Sequence, residues 1–230
     1  MLVKYWMSKQ VFTIDAENSM HDAIARMKER KVRMLPVMEN GNLVGVLSDT
    51  DLKRASASDA TLLDVYELAY LLSRVKVRDL MSKKPVTARP DFTVEEAAEL
   101  MMNNKISGLP VLDGTGALVG VITRHDLFKV LISLSGIGKA GILFGFVVKD
   151  QPGTIKELTD VIGAYNGRIA SILSSYDRVP AGERVVFVRV YGIDRMRLSQ
   201  LIETLGKTAL LLFCVDHKKN KREIYHELEG

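Results

Sequence analysis

Two short stretches hold the residues best placed to do chemistry in this chain: "GVLSDTD" at 45–51 and "GVITRHD" at 120–126. Each runs glycine, two apolar residues, a hydroxyl, two free positions and an aspartate. Ser48 with Asp51, and Thr123 with Asp126, stand three residues apart. That is the spacing of a capping box, in which a hydroxyl and a carboxylate satisfy the orphan N–H groups of a helix start. The same groups suit a ligand. A hydroxyl and N–H groups at a helix start hold an anion such as phosphate, and an ionised aspartate accepts two hydrogen bonds from a diol. Capping accounts for S/T-x-x-D, but not for the "LVGV" that precedes it both times.

The elements that must position these residues repeat as well. "MSK" at 7–9 matches "MSK" at 81–83, and the same offset of 74 pairs Thr13 with Thr87, Ala23 with Ala97, Met27 with Met101, and "LPV" at 35–37 with "LPV" at 109–111. One inserted residue later, "LVGV" at 43–46 meets "LVGV" at 118–121. Agreement over this length, with a single gap in a Gly-rich turn, marks a duplicated unit. Each copy reads as a short β run ("VFTI", "PVTA"), an amphipathic helix, two strands joined by a turn, and a second helix opening at the motif above. Ser19 with Asp22, and Thr93 with Glu96, form capping boxes for the first helices, with Met20, Ala23, Ile24 and Met27, or Val94, Ala97, Ala98 and Met101, on the apolar face. A unit this small buries too little core alone, and pairing remedies that.

Between the copies, "LLDVYELAYLLSRV" at 62–75 reads as a linking helix, opened by Thr61 with Asp64 and apolar on more than one face. From Ile142 the pattern changes to βαββαβ: "ILFGFVVK", "TIKELTDVIGAY", "RIASILSSY", "RVVFVRVYG", "DRMRLSQLIETLG" and "ALLLFCVD". That order implies an antiparallel sheet with both helices on one face, a ferredoxin-like arrangement.

Bulk properties bound the rest. The hydrophobic share of 47% and charged share of 26% are ordinary for a soluble globular protein. The net charge of +4 comes from alternating acids and bases, which excludes a nucleic-acid footprint. The one basic run, "HKKNKR" at 217–222, reads as a solvated tail. The lone Cys214 sits in an apolar strand, so no disulfide framework forms within the chain and a reducing cytoplasm is expected. No secretory signal opens the sequence, and the apolar run from Val130 to Val148 is broken by glycines and Lys139, so no membrane span is expected. "GIGKAG" at 136–141 has glycines at dinucleotide-fingerprint spacing, but a helix precedes it and a strand follows, the inverse of what that fingerprint needs; it reads as a flexible hinge. The four histidines and Cys214 lack ligand spacing, so no metal is expected. Met20, Met27, Met101 and Met102 lie on helices; core packing is the default reading for the first three, and an interface is the other reading.

The repeated unit, with "LPV", "LVGV" and its S/T-x-x-D ending, resembles the CBS domain, and two copies resemble a Bateman module. The third segment, with "KDQPGTIKELTDVIGAYNGRI", resembles the ACT domain, a small-molecule regulatory module. The order CBS–CBS–ACT is similar to the acetoin-utilisation protein B family. The resemblance implies an α+β fold with a CBS domain at 1–55, a linker helix at 56–77, a second CBS domain at 78–133, a hinge at 134–141, an ACT domain at 142–217 and a charged tail at 218–230.

It also implies that an adenine nucleotide (AMP, ADP, ATP, or an S-adenosylmethionine-like molecule) sits in clefts of the CBS pair. Asp51 and Asp126 would then take the ribose diol, and Ser48 and Thr123 the phosphate. Gly45 and Gly120 would let the backbone approach the ligand. Thr13, Ile14, Thr87, Ala88 and the "LPV" residues Pro36, Leu109 and Pro110 would wall the adenine. Asp49 beside Asp51 would repel a polyphosphate, whereas Arg124 and His125 would attract one, which favours the second site. In the ACT segment, Asp150, Gln151, Pro152, Gly153 and Asn166 would hold an amino acid or another small metabolite. The expected protein is a non-catalytic regulator, a homodimer or dimer of dimers, controlling its own assembly or a protein partner. A ligand-free oligomerisation module is the alternative, and an enzyme acting on a nucleotide or short-chain metabolite is less favoured.

Overall fold

The computed structural model describes residues 1–59 and 73–228, with the side chains of 56–59 left aside. The linking helix expected over 62–75 falls, but for its last three residues, outside that range. The chain divides into two units, Met1–Phe128 and Lys129–Gly230.

In the first unit both capping boxes form. Ser19 and Asp22 bond reciprocally at the start of α1 (Met20–Arg30), and Thr93 and Glu96 at the start of a later helix, Val94–Asn103. The apolar stripes face inward as the spacing predicts: Met20, Ala23, Met27, Val94, Ala97 and Met101 are all buried, while Met102 is exposed. In the first copy, β1 (Ile14–Asp15) runs parallel to β2 (Met34–Glu39), which pairs antiparallel with β3 (Asn42–Ser48). Helix α2 (Asp49–Asp59) follows directly.

The sheet of this copy is finished by the other copy's chain. After α3 (Val77–Leu80), the short strand β4 (Ser82–Lys83) pairs with Val46 and Gly45 of β3. The second copy, with α4 (Val94–Asn103), β5 (Gly108–Leu112) and β6 (Leu118–Thr123), receives the equivalent strand from the N-terminus, where Ser8 exchanges two backbone hydrogen bonds with Val121 of β6 (2.9 and 3.0 Å). Backbone hydrogen bonds of one arm recur in the other. Val3 N–H donates to Phe92 and Val77 N–H to Asn18, Val94 N–H donates to Met1 and Met20 N–H to Val75. Val3 and Val77 are each fully buried. Domain boundaries drawn along the sequence therefore differ from those in space: residues 1–8 close the second copy and residues 75–83 the first.

Gly45 and Gly120 stand where the arms cross. A Cβ on Gly45 would lie 2.5 Å from Met81 Sδ and 2.9 Å from the Ser82 carbonyl, and one on Gly120 would meet Met7 Sδ and the Ser8 carbonyl in the same way. The close approach expected of these glycines is thus to the methionine of the opposite copy, which is a correction to their reading as ligand-facing positions.

Helix α5 (Arg124–Leu134) leads into the second unit, a five-stranded antiparallel sheet of β7 (Ile142–Lys149), β8 (Arg168–Ser175), β9 (Glu183–Tyr191), β10 (Leu210–Asp216) and β11 (Lys221–Ile224), in the order β11-β10-β7-β9-β8. Helices α6 (Thr154–Ala164) and α7 (Leu198–Thr208) place Leu158, Ile162, Leu201 and Leu205 in one core with Phe144, Phe146, Val186 and Val188. Two expectations need correction. The basic tail is not wholly solvated: Phe213 pairs with Ile224 and Asp216 with Lys221, across a turn in which Asn220 takes positive φ. The hinge is not loose either. Residues 137–139 form a 3-10 turn, and the Ser135 carbonyl accepts hydrogen bonds from Arg189 Nε (2.6 Å) and Ser171 Oγ (2.9 Å).

Two outcomes follow from this packing. Gly45→Ala should lower stability by about 1–3 kcal/mol through overpacking, and Met81→Ala in the same chain should recover part of that loss, read from urea denaturation as a double-mutant cycle. Cys214, buried on β10 with its thiol pushed up to about 12 by burial, should resist aromatic disulfide reagents until the protein is unfolded.

Candidate functional site

The two motifs end their strands in matching geometry. Ser48 donates to Asp51 Oδ2 from both its N–H (2.9 Å) and its hydroxyl (2.6 Å), and the Asp51 N–H donates back to Ser48 Oγ at 3.3 Å. Thr123 donates to Asp126 Oδ2 from its N–H (3.0 Å) and its hydroxyl (2.7 Å). Each box engages Oδ2 of its carboxylate. Asp126 is 9% exposed and Asp51 is half-buried, so both carboxylates sit in partly desolvated ground, where a hydrogen bond to a charge is stronger than in water.

Strand register brings part of the expected wall alongside. Ile14 pairs with Val37, which sets Thr13 level with Pro36, while Ser48 pairs with Met34, two residues further along β2. In the second copy Ala88 bridges Val111, setting Thr87 level with Pro110, and Thr123 pairs with Gly108, again two residues along. Two residues of strand span about 7 Å, a separation that an elongated ligand bridges and a single ion does not. Ile14, Ala88 and Leu109 are buried in the core at 1% exposure or less, which leaves the backbone as what they can offer a ligand. The Thr13 carbonyl is already engaged by Arg26 Nη1 at 2.5 Å. Asp49 carries Lys53 at 3.4 Å, which offsets the repulsion expected at the first site, and Arg124 and His125 are exposed beside the second.

The candidate residues of the second unit do not all converge. Asp150, Gln151, Pro152 and Gly153 precede α6, whereas Asn166 follows it in the left-handed region. An eleven-residue helix separates the two groups by about 16 Å, so one small molecule within one chain cannot touch both. Asp150 is held near Arg184 Nε and Tyr176 Oη, each at 3.5 Å. Gly153 has φ of 96°, and a Cβ there would meet nothing within 4 Å, so a larger residue strains the backbone without filling a contact. Among the described residues no cluster of three His, Cys, Asp or Glu side chains could hold a metal ion. No helix among them is long and apolar enough to cross a membrane. The partners that sequence reasoning missed are Met7 and Met81; their shared offset was visible, but nothing in it says which copy each joins.

The family model of the CBS domain matches residues 3–58 and 77–133. A CBS domain-containing protein of Dictyostelium discoideum is 38% identical over 134 residues, covering 58% of this chain and 92% of that protein. An inosine-5'-monophosphate dehydrogenase of Korarchaeum cryptofilum is 32% identical over 120 residues, covering 52% of this chain but 22% of the enzyme. Among solved structures, a Burkholderia ambifaria protein described as a signal-transduction protein with CBS domains superposes with a TM-score of 0.51 at 24% identity, covering 57% of this chain and 94% of that one, a likeness of fold.

As a cap, Thr123 should be worth about 0.5–2 kcal/mol, so Thr123→Ala should lower the unfolding free energy by that amount. Asp126→Asn, which still accepts at the cap, should lower it by less than about 1 kcal/mol in the same urea titration.

Proposed function

This chain belongs to the CBS-domain family, and on that premise we propose that it is a non-catalytic regulatory protein whose paired repeats bind an adenine nucleotide. The observation that carries this reading is the pair of matching boxes, Ser48–Asp51 and Thr123–Asp126, each ending a strand about 7 Å along from a threonine–proline step. Asp51 and Asp126 accept the ribose hydroxyls, the N-terminal turns of α2 and α5 face the phosphate, and Thr13, Pro36, Thr87 and Pro110 border the base. AMP, ADP, ATP and S-adenosylmethionine-like molecules share the groups needed. The match to a dehydrogenase over only 22% of its length supports an accessory role for the shared module. Bound ligand then shifts assembly, or the hold on a partner, by its differential affinity for two states.

The antiparallel sheet of the second unit, with two helices on one face, supports an ACT-type module over 142–217, in a protein of the CBS–CBS–ACT order that the acetoin-utilisation resemblance implies. Its amino-acid or metabolite site is the Asp150–Gly153 turn, with Asn166 contributing only from a second chain. The exposed stripe Phe128, Leu131 and Ile132 on α5 supports a homodimer. The buried lone thiol suits a reducing cytoplasm. A second reading, a ligand-free assembly module, is favoured by both boxes already serving as helix-start hydrogen bonds, reciprocal at Ser48–Asp51 and donated by Thr123 at Asp126.

Calorimetric titration of AMP, ADP and ATP separates the two. Saturable binding that raises the melting temperature is expected, and Asp126→Asn should weaken it by about 10- to 100-fold with little loss of stability. No saturable binding by any of the three, nor by S-adenosylmethionine, would leave the assembly module standing.

A further inference from the structure

Three buried side-chain nitrogens among the described residues of the second unit have no hydrogen-bond partner: Arg184 Nε, which has Asp150 as an ion-pair neighbour at 3.5 Å, and Arg189 Nη1 and His217 Nε2. Alternation along β9 sets Arg189 on the sheet face away from the helices, and His217 stands in the turn directly after β10. The neighbours of Arg189, Val188 and Val190, belong to the helix-side core, and Asp216, next to His217, pairs with Arg195 just before α7. Arg189 lies opposite Leu143 on β7, and the His217 N–H donates to the Gly141 carbonyl at 3.3 Å, so both residues flank the start of the central strand.

Arg189 is 3% exposed. Its Nε is spent on the Ser135 carbonyl, which ties the 135–141 turn over this face and holds the guanidinium in place. A guanidinium is always charged, and burying one of its N–H edges without an acceptor is costly. The charged groups that act on His217 are Arg189 on β9 and Arg222 on β11, which disfavour its charge, and Asp216 on β10, which favours it although its carboxylate is turned toward Arg195. Asp216 is already occupied: it pairs with Arg195 and accepts from the N–H groups of Lys218 and Lys219. The charge around His217 is therefore mainly positive, and Nε2 stands beside Arg189 Nη1 as a second donor whenever it carries a hydrogen, as it does in the imidazolium.

We propose that Arg189 Nη1 and His217 Nε2 form a binding site for a small carboxylate, one oxygen to each nitrogen. Two donors match the two oxygens of a carboxylate, whereas a phosphate dianion presents more acceptors than these two nitrogens serve. The site is separate from the Asp150–Gly153 turn and does not depend on nucleotide binding by the repeats. Burial, Arg189 and Arg222 hold the free imidazole below its ordinary value. A bound carboxylate stabilises imidazolium and raises that value, so affinity increases as the pH falls.

The test uses the full chain and its imidazole NMR resonances, of which four histidines supply four. His217→Gln identifies the resonance concerned. Sodium acetate is titrated against sodium chloride at matched ionic strength, with inorganic phosphate in a separate arm. The expected result is a saturable shift of the His217 resonance in acetate alone, a raised His217 titration midpoint at saturation, and affinity about tenfold weaker in Arg189→Lys. An equal response in chloride, or saturation by phosphate but not acetate, overturns the proposal. The wild-type titration decides the matter even if Arg189→Lys fails to fold.

Discussion

The first unit depends on a reciprocal exchange of backbone hydrogen bonds between its two halves. Each repeat has an open strand edge, on β3 or β6, and an open edge in isolation leaves N–H and C=O groups unpaired. The edge of the first copy is closed by residues 82–83 and that of the second by Ser8. Val77 then enters the core of the first copy, among Ile14, Met20, Leu35 and Leu47. Everything the candidate site needs rests on this closure, because β3 and β6 are the strands that end in the two boxes.

The boxes themselves show how a helix start and a ligand site share atoms. A cap consumes one carboxylate oxygen and one hydroxyl, and does so here in both copies. What remains is a helix start beside a carboxylate already held by its box. Pre-fixing a side chain lowers the entropy lost when something binds to it. A structural role in the cap and a functional role toward a ligand are therefore compatible, and the cap makes the second cheaper in conformational freedom.

The duplication, the hydroxyl–acid pairs at the helix starts, the buried methionines and the strands from Ile142 onward could all be read in the sequence, because each rests on local periodicity or on three-residue spacing. What could not be read is non-local. "MSK" is the same string in both copies, and whether Met7 packs on Gly45 or on Gly120 depends on how the copies face each other. Ile14 and Leu109 belong to sheets that bury them, while alternation alone leaves inside and outside undecided. Strand β11 was hidden because "KREI" is mostly charged; such a sequence suits an edge strand, where one face and one side meet water. Asn166 stands a helix length from Gly153, a separation that proximity in the motif does not reveal.

The crossed arms have a hereditary consequence. After a duplication, twin segments are ordinarily free to drift apart, each answering only to its own half. Here Met7 answers to Gly120 and Met81 to Gly45, so a change in one half is judged by its fit to the other. The two halves must co-evolve across the boundary that separates them in sequence. Alignments that treat each copy as an independent lineage would place these coupled positions in different columns and miss the constraint.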